Sequence, residues 1–269
     1  MADPVKALAG LLKKAKAAAQ VEMELPQGRP DAGSLLEEFF LAFMHWEASV
    51  AAAKNARRKL AEAFVDHNEL RIALPHEIAS AIGDRYPLVL ERSLRLRAAL
   101  HELYRREHAI SFASVAAGEP EAAVAFVSSL EGVPWYVSCR IGLRLGLEFV
   151  PVDYRMLDLL VAAKAVPVDT ASGREICPSD VSKWLADVVG GKGLKGYTLV
   201  QVYGLLQAWS DEEGESRKSD PDLGGEPLRA PGDPIRRKKV VRTKPPSRAS
   251  NRGGSKRPDR GGIKPRGRG

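Results

Sequence analysis

An all-α domain is what this chain predicts, and three observations predict it. No long stretch alternates apolar and polar residues as a strand would; apolar residues recur at three- and four-residue spacing; and Gly, Pro, Ser and Asp fall where those patterns stop and restart. With 269 residues, 44% of them hydrophobic, the chain can bury one large core or two small ones. It divides into an N-terminal helix and linker (1–33), a helical domain (34–210) and a basic tail (211–269).

Residues Pro4 to Gln20 read as a short helix, with Val5, Leu8, Leu11 and Leu12 on one side and Lys13, Lys14 and Lys16 near its end, where cations suit the dipole. A solvated terminal helix is expected there, followed by a linker over Pro26 to Gly33 and a cap at Ser34. Leu35 to Phe64 is a long amphipathic pattern with a break near Ala48; Leu36, Phe39, Phe40, Phe43 and Met44 face a core and Lys54, Arg57, Arg58 and Lys59 lie opposite. One short helix is expected between Asn68 and Gly83, with Pro75 at its first turn. The next helix, Pro87 to Arg106, carries Arg92, Arg95, Arg97, Arg105 and Arg106 among its leucines. Those arginines fit a solvated face or a track along a phosphate backbone equally well. Beyond residue 160, helices are expected over 179–189, capped by Ser179 or Asp180, and over 195–209. The Gly190-Gly191-Lys192-Gly193 turn lacks the context of a phosphate loop and reads as a helix connection.

The centre of the chain is Glu121 to Leu160. A helix over Ala122 to Leu130 stops at Leu130-Glu131-Gly132-Val133-Pro134, where Gly132 suits a left-handed turn and Pro134 the start of the next helix. That helix runs from Trp135 to Gly146, and after Pro151 the residue Asp153 sits where it would cap a third, Tyr154 to Ala163. A helix, a Leu-x-Gly-Val-x hairpin, a helix and an Asp about twenty residues on resemble the helix-hairpin-helix DNA glycosylases, the relatives of endonuclease III. The resemblance covers about Leu35 to Leu160 and is clearer from Leu130 onward.

It implies a helical bundle in which the hairpin N–H groups of Gly132 and Val133, with Arg92 and Arg95 nearby, hold DNA phosphates. Asp153 is then the catalytic carboxylate, and Trp46, Glu47, Trp135 and Tyr136 line a pocket for an extruded base. Packing is the competing role for the three aromatics, and N-capping, worth roughly 1 kcal/mol, for Asp153. Two departures refine the expectation. Pro134 replaces a second Gly and offers no N–H. Tyr136 stands where strand-cleaving members carry a Lys, and a phenol forms no imine, so a monofunctional glycosylase without lyase chemistry is implied. Base loss gives the sugar oxocarbenium character, which a carboxylate stabilises with no metal or organic cofactor.

Cys139 and Cys177 are the only cysteines, too few for the four-cysteine iron–sulfur cluster of many endonuclease III relatives; Cys139 is expected to face the core and Cys177 to sit in a loop. The five histidines show no metal-ligand spacing. The net charge of +7 is unevenly spread: residues 231–269 hold 14 of the 41 Lys and Arg against two acids, leaving the first 230 residues acidic. This tail, ending in Arg-Gly-Gly repeats, cannot bury enough to order itself and is expected to be disordered and to hold nucleic acid without reading sequence. No stretch has the apolar length of a membrane span, and residues 1–20 lack a secretory cleavage site, so cytoplasmic residence, on a nucleoid if bacterial, is the expectation. The partner is then damaged double-stranded DNA; the oligomeric state is not encoded in any visible pattern. Two other readings stay open: the same scaffold as a catalytically inactive DNA-binding protein, and an RNA-associated helical protein that binds through its tail.

Overall fold

The computed structural model describes residues 3–18, 29–167, 176–191 and 193–218. These form twelve helices and no strand. In order they are α1 (Pro4–Ala18), α2 (Ala32–His45), α3 (Val50–Ala63), α4 (His67–Ile72), α5 (Pro75–Ile82), α6 (Val89–Glu107), α7 (Ala113–Ala117), α8 (Pro120–Ser128), α9 (Trp135–Arg144), α10 (Tyr154–Ala162), α11 (Pro178–Gly190) and α12 (Leu199–Lys218). Everything beyond residue 218, and with it the expectation of a disordered basic tail, lies outside the described residues, as does Lys192.

The apolar stripes build two cores. The first gathers α2 to α9 around Phe39, Phe40, Phe43, Leu96, Leu100 and Phe112, with Phe39 edge-on to Phe43 and Phe112 at centroid distances of 5.4 and 5.3 Å. The second joins α1 to α10, α11 and α12 through Leu8, Leu12, Met156, Leu160, Leu185 and Leu206. Here the solvated terminal helix is corrected. Leu8 and Leu12 of α1 are fully buried, because the face they share meets α12.

Caps account for most boundaries. Asp31, rather than Ser34, starts α2, its carboxylate accepting from Ser34 N at 2.7 Å; Ser49 starts α3. The break in the long pattern is the corner Trp46–Ser49, in which Glu47 adopts φ +57°, a left-handed conformation uncommon for a residue with a side chain. The single helix expected over 68–83 is two: Ala73 ends α4 with extended geometry and Pro75 opens α5 at its first turn. α11 is capped by Cys177, with Asp180 reaching back to the cap N–H, in place of Ser179 or Asp180. α12 continues through the acidic stretch after Ser210, past the domain edge that the composition change had suggested.

The hairpin between α8 and α9 packs directly on α6, and the Val133 N–H, expected to hold a phosphate, donates instead to the Leu130 carbonyl at 3.3 Å within the turn. Gly132 has φ +79°, and a Cβ there would lie 2.9 Å from the carbonyl oxygen of Arg95 and 3.0 Å from its Cα. Both the turn and the close backbone approach therefore require glycine. Gly132→Ala is expected to cost about 2 kcal/mol or more, combining left-handed strain with displacement of α6; chemical denaturation of the variant checks it, and an unchanged midpoint would show that the hairpin can lift from α6 freely.

Candidate active site

The site is built where the α2–α3 corner meets the first turn of α10. Asp153, the N-cap of α10, accepts from Met156 N through Oδ1 and from Glu47 N through Oδ2, both at 2.8 Å. Glu47 answers in kind: its Oε1 accepts from Tyr154 N at 2.7 Å and its Oε2 from Arg155 N at 2.9 Å. Two carboxylates thus satisfy the unpaired amides at the head of one helix while one of them also holds the backbone of the other. Arg155 extends the junction to α12, donating to Asp211 Oδ1 at 2.9 Å, and Asp211 Oδ2 accepts from Val50 N at the start of α3 at 2.9 Å.

Both acids are buried, Glu47 at 1% exposure and Asp153 at 4%. Burial, and next the charge of Asp153, push the Glu47 carboxyl up to about 8; burial also raises Asp153, opposed by the Arg155 guanidinium and the amides it accepts from. Two like charges in a dry site cannot both persist, so near neutral pH the pair keeps a proton between them.

Arg92 does not do what the helix pattern suggested. It is fully buried, and its guanidinium donates to the carbonyls of Phe43, Trp46 and Pro87, the last at 3.2 Å, with the rings of Trp46 and Tyr86 at 5.2 and 5.0 Å. It fastens the corner from below and is corrected from a phosphate contact to an internal strut. Burial lowers it only to about 10, so it stays charged and adds positive potential beneath the pair. Arg95 is different: half-exposed, paired with Glu91 at 2.8 Å, stacked on Trp46 at 5.3 Å, and touching Gly132 through its backbone.

The pocket candidates separate likewise. Trp46 is buried, with Arg92 and Arg95 over its ring, so it forms part of the wall beneath the corner. Trp135 is 42% exposed in the first turn of α9, edge-on to Phe149. That helix opens without a side-chain cap or an acidic residue, because Pro134 occupies the cap position, so no side chain of its first turn answers the positive end of its dipole. Tyr136 is buried in a network not visible in the sequence. Its hydroxyl lies 2.8 Å from the Tyr203 hydroxyl, 2.8 Å from Gln207 Nε2 and 3.1 Å from His45 Nδ1; Arg140 also donates to His45 Nδ1 and pairs with Glu38. His45 Nδ1 is therefore an acceptor and the ring proton sits on Nε2, which is buried with no acceptor from the protein. Burial, then the charge of Arg140, holds this imidazole neutral. The only sequence signal for Tyr203 and Gln207 was polarity on the apolar face of α12.

The hairpin and the acid pair are thus contiguous: Gly132 touches Arg95, Arg95 covers Trp46, and Trp46 adjoins Glu47, which binds Asp153. Among the described residues no cluster of three His, Cys, Asp or Glu is placed to hold a metal, and no helix is long and apolar enough to cross a membrane. Cys139 is buried, its thiol pushed up to about 12 by desolvation, whereas Cys177 is partly exposed at the α11 cap.

No family model matches the sequence, and no curated protein matches it. The fold, however, is similar to that of a solved structure described as MBOgg1 in complex with a low-affinity DNA ligand, with a TM-score of 0.50, 16% identity, and coverage of 78% of this chain and 70% of that one. At that identity the likeness is one of fold.

The folded state binds the Glu47 proton more tightly than the unfolded chain, so stability present below the ordinary carboxyl value of 4.5 is lost as pH rises toward about 8. The melting temperature is expected to fall across that interval and Glu47→Gln to flatten the decline; parallel profiles for both proteins would show that Glu47 is ionised throughout. Arg92→Met leaves three carbonyls without a donor and is expected to cost on the order of 3 kcal/mol by denaturant titration; a cost below about 1 kcal/mol would mean the corner holds without it.

Proposed function

We propose that this protein binds double-stranded DNA and removes a damaged base by hydrolysing its N-glycosidic bond, with Asp153 as the carboxylate that stabilises the oxocarbenium-like sugar. The observation that carries the reading is the carboxylate pair at the head of α10, joined through Trp46 and Arg95 to the hairpin at Gly132. It is supported by the shared fold with a protein whose structure holds a DNA ligand. Departure of a base needs negative charge beside the sugar and a proton for the leaving nitrogen. A pair of carboxyl groups that retains one proton near neutral pH supplies both, and in this reading Asp153 is the ionised member.

The phosphate strand would run over the α9 N-terminus, through the amides following Pro134, with Arg95 alongside. In this reading Trp135, exposed in that first turn, stacks against a displaced base, and the buried His45 Nε2–H donates to a base acceptor. Since Tyr136 cannot form an imine, abasic strand scission is not part of the activity. The basic segment 231–269 adds sequence-independent affinity.

One observation favours a second reading. Asp153 is 4% exposed and each of its oxygens accepts an amide, which is what a purely structural cap needs; a DNA-binding protein without chemistry would keep it for the fold alone.

The two are separated by release of free base from duplexes carrying oxidised, alkylated or deaminated bases. Asp153→Asn, which retains a capping oxygen, is expected to lower the single-turnover rate at least about a hundredfold with DNA affinity retained. Binding without release from any of these substrates by the intact chain would leave the non-catalytic reading.

A further inference from the structure

Further along α6 than Arg92, two arginines beside a neutral histidine have no acid to answer them. Arg71 of α4 lies with its guanidinium carbon 4.1 Å from the Tyr104 ring centroid and its Nη1 3.5 Å from His101 Nδ1. Arg97, one turn before His101 on the same face of α6, pairs with no carboxylate among the described residues. The acids close by in sequence are already engaged: Glu102 takes Arg105 and Arg106, and Glu69 accepts from the backbone of Val65.

Each of the three side chains has a buried nitrogen without an acceptor: Arg71 Nε, Arg97 Nε and His101 Nε2. Because an arginine can only donate, His101 Nδ1 is the acceptor of its contact with Arg71, and His101 Nε2 carries the proton. All three are therefore N–H donors, drawn from two helices. Buried donors are ordinarily paired, and leaving even one unpaired costs free energy. Three together in a field of uncompensated positive charge call for an anion with several oxygens. Leu90 and Leu94, about half-exposed on the same face of α6, give the site an apolar flank that strengthens such contacts.

The geometry points to a phosphate-binding site formed by Arg71, Arg97 and His101. The planar guanidinium forks and the imidazole N–H suit a tetrahedral oxyanion, taken either from a DNA backbone phosphodiester or from a free phosphate. The site is separate from the α9 N-terminus and does not require that the protein be a glycosylase.

The test titrates inorganic phosphate into the full chain and follows the side-chain nitrogen resonances of His101, while the salt dependence of duplex DNA binding is measured in parallel. Saturable phosphate-dependent shifts are expected, weakened at least about tenfold in Arg97→Gln and in Arg71→Gln, with each variant's melting temperature recorded to show that it folds. If the source is the DNA backbone, the slope of log affinity against log salt also falls by about one in Arg97→Gln. An unchanged slope with lost phosphate binding assigns the site to a free phosphate. Absence of a phosphate-dependent shift together with an unchanged slope overturns the site, whatever the outcome of base-release assays.

Discussion

The reciprocal hold between Glu47 and Asp153 is the interaction on which the rest of the molecule depends. Each donates or accepts across two segments 106 residues apart: the backbone of Glu47 binds the Asp153 carboxyl group, and the Glu47 carboxyl group binds the backbone that follows Asp153. One segment belongs to the first core and the other to the second, so these three bonds fasten one core to the other. They also explain the left-handed backbone of Glu47. A residue with a side chain persists there only when its surroundings over-determine it, and an amide locked to a buried carboxylate is such a constraint.

Function is read from the same arrangement. Capping a helix requires acceptors, and two buried acceptors of like charge retain a proton; the fold's need for a cap thus leaves a carboxylic acid beside a carboxylate at neutral pH. Arg92 makes this tolerable. Buried under the corner and spent on backbone carbonyls, it lends its charge to the pair without forming a direct ion pair that would discharge the proton. The neighbouring network of Tyr136, His45, Tyr203 and Gln207 is neutral and heavily bonded, which holds the site wall rigid while leaving one imidazole N–H unpaired.

Much of this was legible in the residues. The hairpin at Gly132 and the cap at Asp153 are local signals, written by a left-handed glycine and by an acid before an apolar run, and both stand where they were expected. Local signals failed where a tertiary contact decides. The five arginines from 92 to 106 share one composition, yet Arg92 is fully buried while Arg105 lies exposed, since only neighbouring carbonyls distinguish them. The burial of Leu8 and Leu12 depends on α12, and the helix over 211–218 continues because its first residue is tied to Arg155 and Val50. No spacing rule could have paired Glu47 with Asp153, or Tyr136 with Tyr203.

Direct titration of the two carboxyls tests the central claim. With carbon-13 at the side-chain carboxyls of Glu and Asp, and Glu47→Gln and Asp153→Asn for assignment, NMR should show the Glu47 resonance moving near pH 8, far above the other glutamates. Both carboxyls titrating in the ordinary range below about pH 5 would show an ionised pair and remove the acid from the proposed chemistry.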